Sequence, residues 1–286
     1  MKNKLLLLLF MIPMMSLKQD NPAYFLVDSS GNEIKYSKMI DELAEADVVL
    51  IGELHNNPIS HWLELEITED LHAVKKDKLV LGAEMFERDN QLLLNEYIRG
   101  IHTDAKFEAD ARLWKNYKTD YKPIVDFAKE NTINFIATNI PRRYASLVFQ
   151  GGFEALEKLD PEAKKLFAEL PIRYDEQLPC YASLLDAGPS GHSNANLPKA
   201  QAIKDATMAE SILRNRKGNQ LFLHYNGAYH SDDHTSIVWY LKQADPSLKI
   251  LTLTTVEFSN ADSIPDSTYQ KADYLILVPE NMTKTN

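Results

Sequence analysis

Two tetrapeptides of one form constrain this chain more than any other feature. Gly52-Glu53-Leu54-His55 and Gly227-Ala228-Tyr229-His230 each close a short apolar run, Asp47 to Ile51 in the first case and Leu221 to Tyr225 in the second. Short runs rich in Val, Ile and Leu suit strands buried on both faces, the environment of a parallel sheet. Two further runs follow the same plan: Leu79-Val80-Leu81-Gly82-Ala83 leads into Glu84-Met85-Phe86-Glu87-Arg88, and Asn134 to Thr138 leads into Asn139-Ile140-Pro141-Arg142. In an open α/β sheet, ligands gather beyond the carboxyl ends of the strands, so four polar clusters at equivalent ends predict one shared pocket. Taken singly, each has a plainer explanation: a glycine eases a strand exit, a histidine caps a helix, and Glu84 suits the positive end of a helix dipole.

The rest of the chain supplies the other layers. Apolar residues recur at helical spacing from Ser60 to about Lys75, with His61 near the start, and again in two or more helices between Asp89 and Glu130. Phe153 to Leu170 and Lys199 to Arg216 read as further helical blocks, and a helix from about Asp232 to Gln243 precedes strands at Lys249 to Val256 and Tyr274 to Val278. Tyr24 to Asp28 and Glu33 to Tyr36, flanking Ser29-Ser30-Gly31-Asn32, predict an N-terminal β-hairpin at a sheet edge. The expected fold is α/β: a mostly parallel sheet flanked by helices, with an inserted helical lobe. A single domain over 22–286 is expected, its lobe drawn from segments at about 89–133 and 153–216. Pro171 to Pro198, rich in Pro, Gly, Ser and Asn, reads as a loop.

Lys2, Lys4 and the apolar run Leu5 to Met15 read as a secretory signal over about residues 1–17. Export is therefore expected, to the periplasm or cell envelope, and no cysteine follows the run to carry a lipid. The sole cysteine, Cys180, excludes an intramolecular disulfide and a cysteine-rich metal site. A formal charge of −10 leaves nucleic acid and anionic membranes without their usual electrostatic attraction. There is no Gly-x-Gly-x-x-Gly or Walker loop to hold a nucleotide.

The segment Val48 to Asn56, His61, Gly82-Ala83-Glu84-Met85-Phe86, Trp114, Asn139-Ile140-Pro141-Arg142, Gln201 with Asp205 to Ala209, and Gly227-Ala228-Tyr229-His230 together resemble the ChaN-like haem-binding uptake proteins. The wider group includes Tiki-type peptidases and erythromycin-esterase-like hydrolases. The resemblance covers nearly all of the expected mature chain, in order. It implies an exported protein that binds haem or a related tetrapyrrole for iron uptake, with a homodimer and an outer-membrane uptake system as partners. The missing lipoprotein cysteine departs from many relatives, and the Pro171 to Pro198 segment offers no pattern to carry over.

Haem needs an apolar slot, an axial ligand and cations for its propionates. The candidate ligands are His55, Tyr229 and His230, and Arg88, Arg142 and Arg143 are the candidate carboxylate anchors. The alternative is an ester or peptide hydrolase. It would use Glu53, His55, Glu84 and His230 as catalytic groups, with a divalent metal on His55, His230 and a glutamate (Glu84, or else Glu53) and the leftover glutamate as general base, or with histidine and glutamate acting alone. His224 is expected to be structural, since strand alternation turns it away from Tyr225, and His234 is placed in the following helix. His102 and His192 lie in surface-like segments.

Overall fold

The computed structural model describes residues 22–186, 195–260 and 264–285. The expected signal segment and His192 lie outside the described residues. Among the described residues, seven strands form one sheet: β1 Phe25–Asp28, β2 Val48–Glu53, β3 Leu79–Glu87, β4 Asn134–Asn139, β5 Leu221–Gly227, β6 Ile250–Phe258 and β7 Tyr274–Pro279. Their spatial order is β1-β7-β6-β2-β5-β3-β4, parallel throughout except for the antiparallel β1–β7 edge. The fold is thus the predicted mostly parallel α/β sheet.

Burial explains the central strands. Val48, Val49, Leu50 and Ile51 are fully buried, as a strand covered by helices on both faces must be, and Leu221, Phe222 and Leu223 repeat this in β5. One face of the sheet packs on helices Tyr36–Ala44, Pro58–Lys75, Gln91–Ile98 and Lys122–Glu130. The other face carries helices Leu197–Asn215 and Ile237–Ala244. The two segments expected to form a lobe behave differently. Tyr97, Phe107, Tyr117 and Tyr121 join the main core, whereas Tyr144, Leu156, Phe167 and Ile203 form a separate apolar cluster.

Four local expectations are corrected. The second arm of the hairpin contributes a single bridge, Val27 to Glu33, because β1 takes its ladder from β7 instead. The block from Phe153 to Leu170 contains two one-turn helices, Glu154–Glu157 and Pro161–Lys164; Pro161 can start a helix but cannot continue the one before it. The loop at 171–198 contains the helix Pro179–Asp186. The helix expected from Asp232 is a 3-10 turn, Asp232–His234, followed by Ile237–Ala244. Positive φ at Asp233, His234 and Ser236 breaks it there.

Candidate functional site

The carboxyl ends of β2, β5, β3 and β4 open onto a cavity of about 480 Å³, lined among others by Glu53, His55, Glu84, Trp114, Arg142, Tyr229 and His230. Two backbone features set their positions. The β3–β4 register shifts between Ala83 and Glu87, and an irregularity of this kind re-aims side chains at a strand end. The two repeated glycines permit close approach: a Cβ on Gly52 would stand 3.0 Å from Ala228 Cα, and one on Gly227 would stand 2.7 Å from Cε1 and Nε2 of His55. Each Gly-x-x-His segment therefore packs against the other.

At the β2 end, His55 Nδ1 donates to Glu53 Oε1 at 2.6 Å, and Tyr121 donates to the same oxygen at 2.7 Å. No hydrogen bond occupies His55 Nε2 among the described residues, and the side chain is 46% exposed. Trp114 meets the ring edge-on with centroids 4.9 Å apart. Burial, with the charge of nearby Glu64, pushes the Glu53 carboxyl up to about 8, against the hydrogen bond from His55. Burial acts to lower the pKa of His55, but its bond and charge contact with Glu53 outweigh this, and the net shift is upward.

At the β5 end the arrangement closes on itself. His230 Nδ1 donates to Asp205 Oδ1 at 2.5 Å, and its Nε2 lies 3.3 Å from Glu84 Oε1. Glu84 Oε2 accepts the Gly227 N–H at 2.9 Å, and Asp205 Oδ2 accepts the Tyr181 hydroxyl at 2.7 Å. Burial alone would depress the His230 pKa, yet Glu84 and then Asp205 raise it to about 10. Burial likewise opposes ionisation of Glu84, but the charge and hydrogen bond of His230 hold its carboxyl well below the usual range. His230 is thus an imidazolium between two carboxylates.

These positions sort the predicted residues. Glu53, His55, Glu84, Arg142, Tyr229 and His230 meet at the cavity. Arg88 does not: it donates to Ser211, Glu210 and the Thr207 carbonyl, tying β3 to helix Leu197–Asn215. Arg143 is held by Asp89 at 2.6 Å. Both ring nitrogens of His230 face a carboxylate, Asp205 on one side and Glu84 on the other. The Tyr229 hydroxyl donates to the Cys180 carbonyl, and burial, with Asp205 nearby, raises its pKa, so a tyrosinate is disfavoured. The expected metal set of His55, Glu84 and His230 does not gather its donor atoms. Among the described residues, the group that does is Glu53, His61 and Glu64. His224 is buried and bonded to Thr138 and Asn226, and burial lowers its pKa to about 4, which fits a structural role. His234 reaches Asp273 at 3.4 Å and His102 reaches Glu96 at 3.0 Å.

The residues missed as site members are Gln201, Lys204 and Asp205 on one helix and Glu64 on another. Their spacing carried a signal. Gln201, Lys204 and Asp205 stand at i, i+3 and i+4, and Glu64 follows His61 by three on the face that buries Leu63, Ile67 and Leu71. A polar residue on an otherwise buried face needs a partner.

Comparison with known proteins agrees with this fold. The profile of the family described as "Haem-binding uptake, Tiki superfamily, ChaN" matches residues 39–241. The chain resembles ChaN of Campylobacter jejuni, described with cofacial haem binding, at 19% identity and a TM-score of 0.70, covering 91% of this chain and 98% of that one. It also resembles a protein from Bacillus cereus at 12% identity and a TM-score of 0.50, covering 85% of this chain and 90% of that one. The type III effector HopBA1 is similar at 12% identity and a TM-score of 0.50, with 85% and 92% covered. No curated protein matches the sequence. The family match extends over well more than half of the chain, which therefore belongs to the ChaN haem-binding uptake family of the Tiki superfamily.

Proposed function

We propose that this member of the ChaN family binds haem or a related tetrapyrrole in the cavity at the strand ends, as an exported protein serving iron uptake. The observation that carries the reading is the open His55 Nε2. Glu53 holds the other ring nitrogen, which is the usual way a protein orients a ligating histidine and raises its basicity. Tyr229 and His230 are already engaged, so His55 is the axial candidate.

The surroundings fit the group. A second cavity of about 700 Å³ shares Glu87, Trp114 and Arg142 with the first and adds Ala111, Leu113 and Ser146. Trp114 offers an aromatic wall between the two. Among the described residues Arg142 makes no hydrogen bond or ion pair, so its guanidinium is free to fork onto a propionate, while Arg112 and Arg143 are anchored by Glu87 and Asp89. Lys204 adds a second cation to the lining of the first cavity. Bound haem would supply the iron that His55 ligates. The protein supplies the oriented nitrogen, the aromatic wall and the carboxylate anchors.

Export rests on the apolar run after Lys2 and Lys4, and a homodimer and an outer-membrane uptake system are proposed partners on the family alone. The Glu53–His55 pair also has the form of a general base, which favours a His/Glu hydrolase as the second reading. The test is a haem titration followed by Soret absorbance. Saturable binding that weakens about tenfold or more (~1.4 kcal/mol) in His55→Ala and Arg142→Ala, but not in Arg88→Ala, is the expected result. Unsaturating binding insensitive to His55→Ala would overturn the haem reading, and turnover of ester or peptide substrates lost in the same variant would replace it.

A further inference from the structure

Behind His55, away from the proposed ligand, three buried carboxylates surround one imidazole. Glu53, Glu64 and Asp120 are 1%, 0% and 3% exposed, and His61 between them is 5% exposed. His61 Nδ1 stands 3.0 Å from Glu64 Oε2 and 3.7 Å from Glu53 Oε2. Its Nε2 donates to the His55 carbonyl at 3.2 Å and lies 3.6 Å from Asp120 Oδ2. Asp120 accepts from Asn116 and Thr285, both neutral, and among the described residues no lysine or arginine is bonded to any of the three acids. Burial pushes the carboxyls of Glu53 and Glu64 up to about 8, so both acids resist ionisation where no cation stands beside them.

The orphan atoms point to the missing partner. Among the described residues, Glu53 Oε2 and Glu64 Oε1 are buried with no hydrogen-bond donor of another residue directed at them, although carboxylates in such surroundings are normally fully bonded. One donor atom from each of Glu53, His61 and Glu64 lies within 4.8 Å of the others. Donors on a first-row transition metal sit about 2.0–2.2 Å from it, so closing this group around an ion requires a contraction of less than about 1 Å. Glu53 also lines the main cavity, which gives an ion a way in.

We propose that Glu53, His61 and Glu64 form a buried site for a divalent transition-metal ion, separate from the cavity and joined to it through Glu53. One imidazole and two carboxylates suit Mn²⁺, Fe²⁺ or Zn²⁺ better than the all-oxygen shell favoured by Ca²⁺. Glu53 then has two tasks, with Oε2 toward the ion and Oε1 holding His55. The site would thus adjoin, through one carboxylate, the bond that orients the His55 ring. His55 would not itself be a ligand of this site.

The test uses the full chain without haem, so its outcome is independent of the haem reading. Chelator-stripped protein is titrated with Mn²⁺ and then Zn²⁺ alone, with bound metal counted by elemental analysis and heat. The expected result is one equivalent per chain, lost in Glu64→Gln and His61→Asn and retained in His102→Ala. Glu64→Gln keeps the shape of the side chain, and its circular dichroism checks the fold; His61→Asn provides the second route if that variant is unstable. A rise in Tm with Mn²⁺ in the unsubstituted protein, absent from both variants, would support the site. Failure of the unsubstituted protein to take up either ion at millimolar concentration, or equal uptake by the variants, would overturn it and leave shared protons as the balancing charge.

Discussion

The two Gly-x-x-His segments share a tetrapeptide pattern, sit at the ends of the adjacent strands β2 and β5, and pack against one another, yet they end in opposite electrostatic states. His230 is buried with both nitrogens bound, an imidazolium locked between Glu84 and Asp205. His55 is half exposed, bound through one nitrogen, and backed by acids that lack a cation. The difference teaches that the tetrapeptide determines where a histidine stands, while distant residues determine what it can do. Asp205 and Tyr181 convert one copy into a structural ion pair; Glu53 and an open cavity leave the other with one ring nitrogen unengaged.

The largest effect that could break this contrast is removal of each imidazole. His230→Ala strands Glu84 and Asp205 in the interior and should cost about 3–5 kcal/mol in urea denaturation, whereas His55→Ala should cost about 1 kcal/mol or less. Equal losses would show that the two copies do the same work. The same ion pair can be titrated away. His230 is raised from 6.5 to about 10, so its contribution is complete below about pH 6.5 and drains as pH rises toward 10. Glu84 is depressed from 4.5, so its contribution holds above that value and fades as pH falls below it. The stability gap between the unsubstituted protein and His230→Ala should therefore be wide at pH 6 and narrow by pH 10. A gap that stays constant with pH would remove the ion pair from the account.

The smallest expected effect separates the glycines. A methyl on Gly52 meets the Ala228 backbone and should cost about 1–3 kcal/mol, because the two segments must move apart. A methyl on Gly227 meets the half-exposed His55 ring, which can swing away, so stability should hardly change while ligand affinity falls. Urea midpoints and a haem titration on both variants read the two outcomes.

Much of the sheet was legible because continuous apolar runs have few other uses in a chain of this composition. The hairpin and the helix expected from Asp232 were less so: an edge ladder to β7 and a run of positive φ values depend on neighbours remote in sequence. Arg88 was misplaced for a similar reason. It follows Glu84 by four residues, but its side chain is drawn to Ser211 and Glu210 on a helix more than a hundred residues later. Glu64 was overlooked because a single glutamate in a helix ordinarily faces water; its full burial becomes evident only once that helix packs on the sheet.

The sequence by itself determined that this chain builds a parallel sheet with polar clusters beyond its strand ends, because strand character and glycine-eased exits depend on residues close together in the chain. Only the tertiary structure decided which clusters share a cavity, which histidine keeps an open nitrogen, and where buried acids collect without a lysine or arginine beside them. Those properties arise from burial and from charge contacts acting over a few ångströms, and several of the pairs that decide them, such as His55 with Trp114 and His230 with Asp205, lie 25 or more positions apart along the chain.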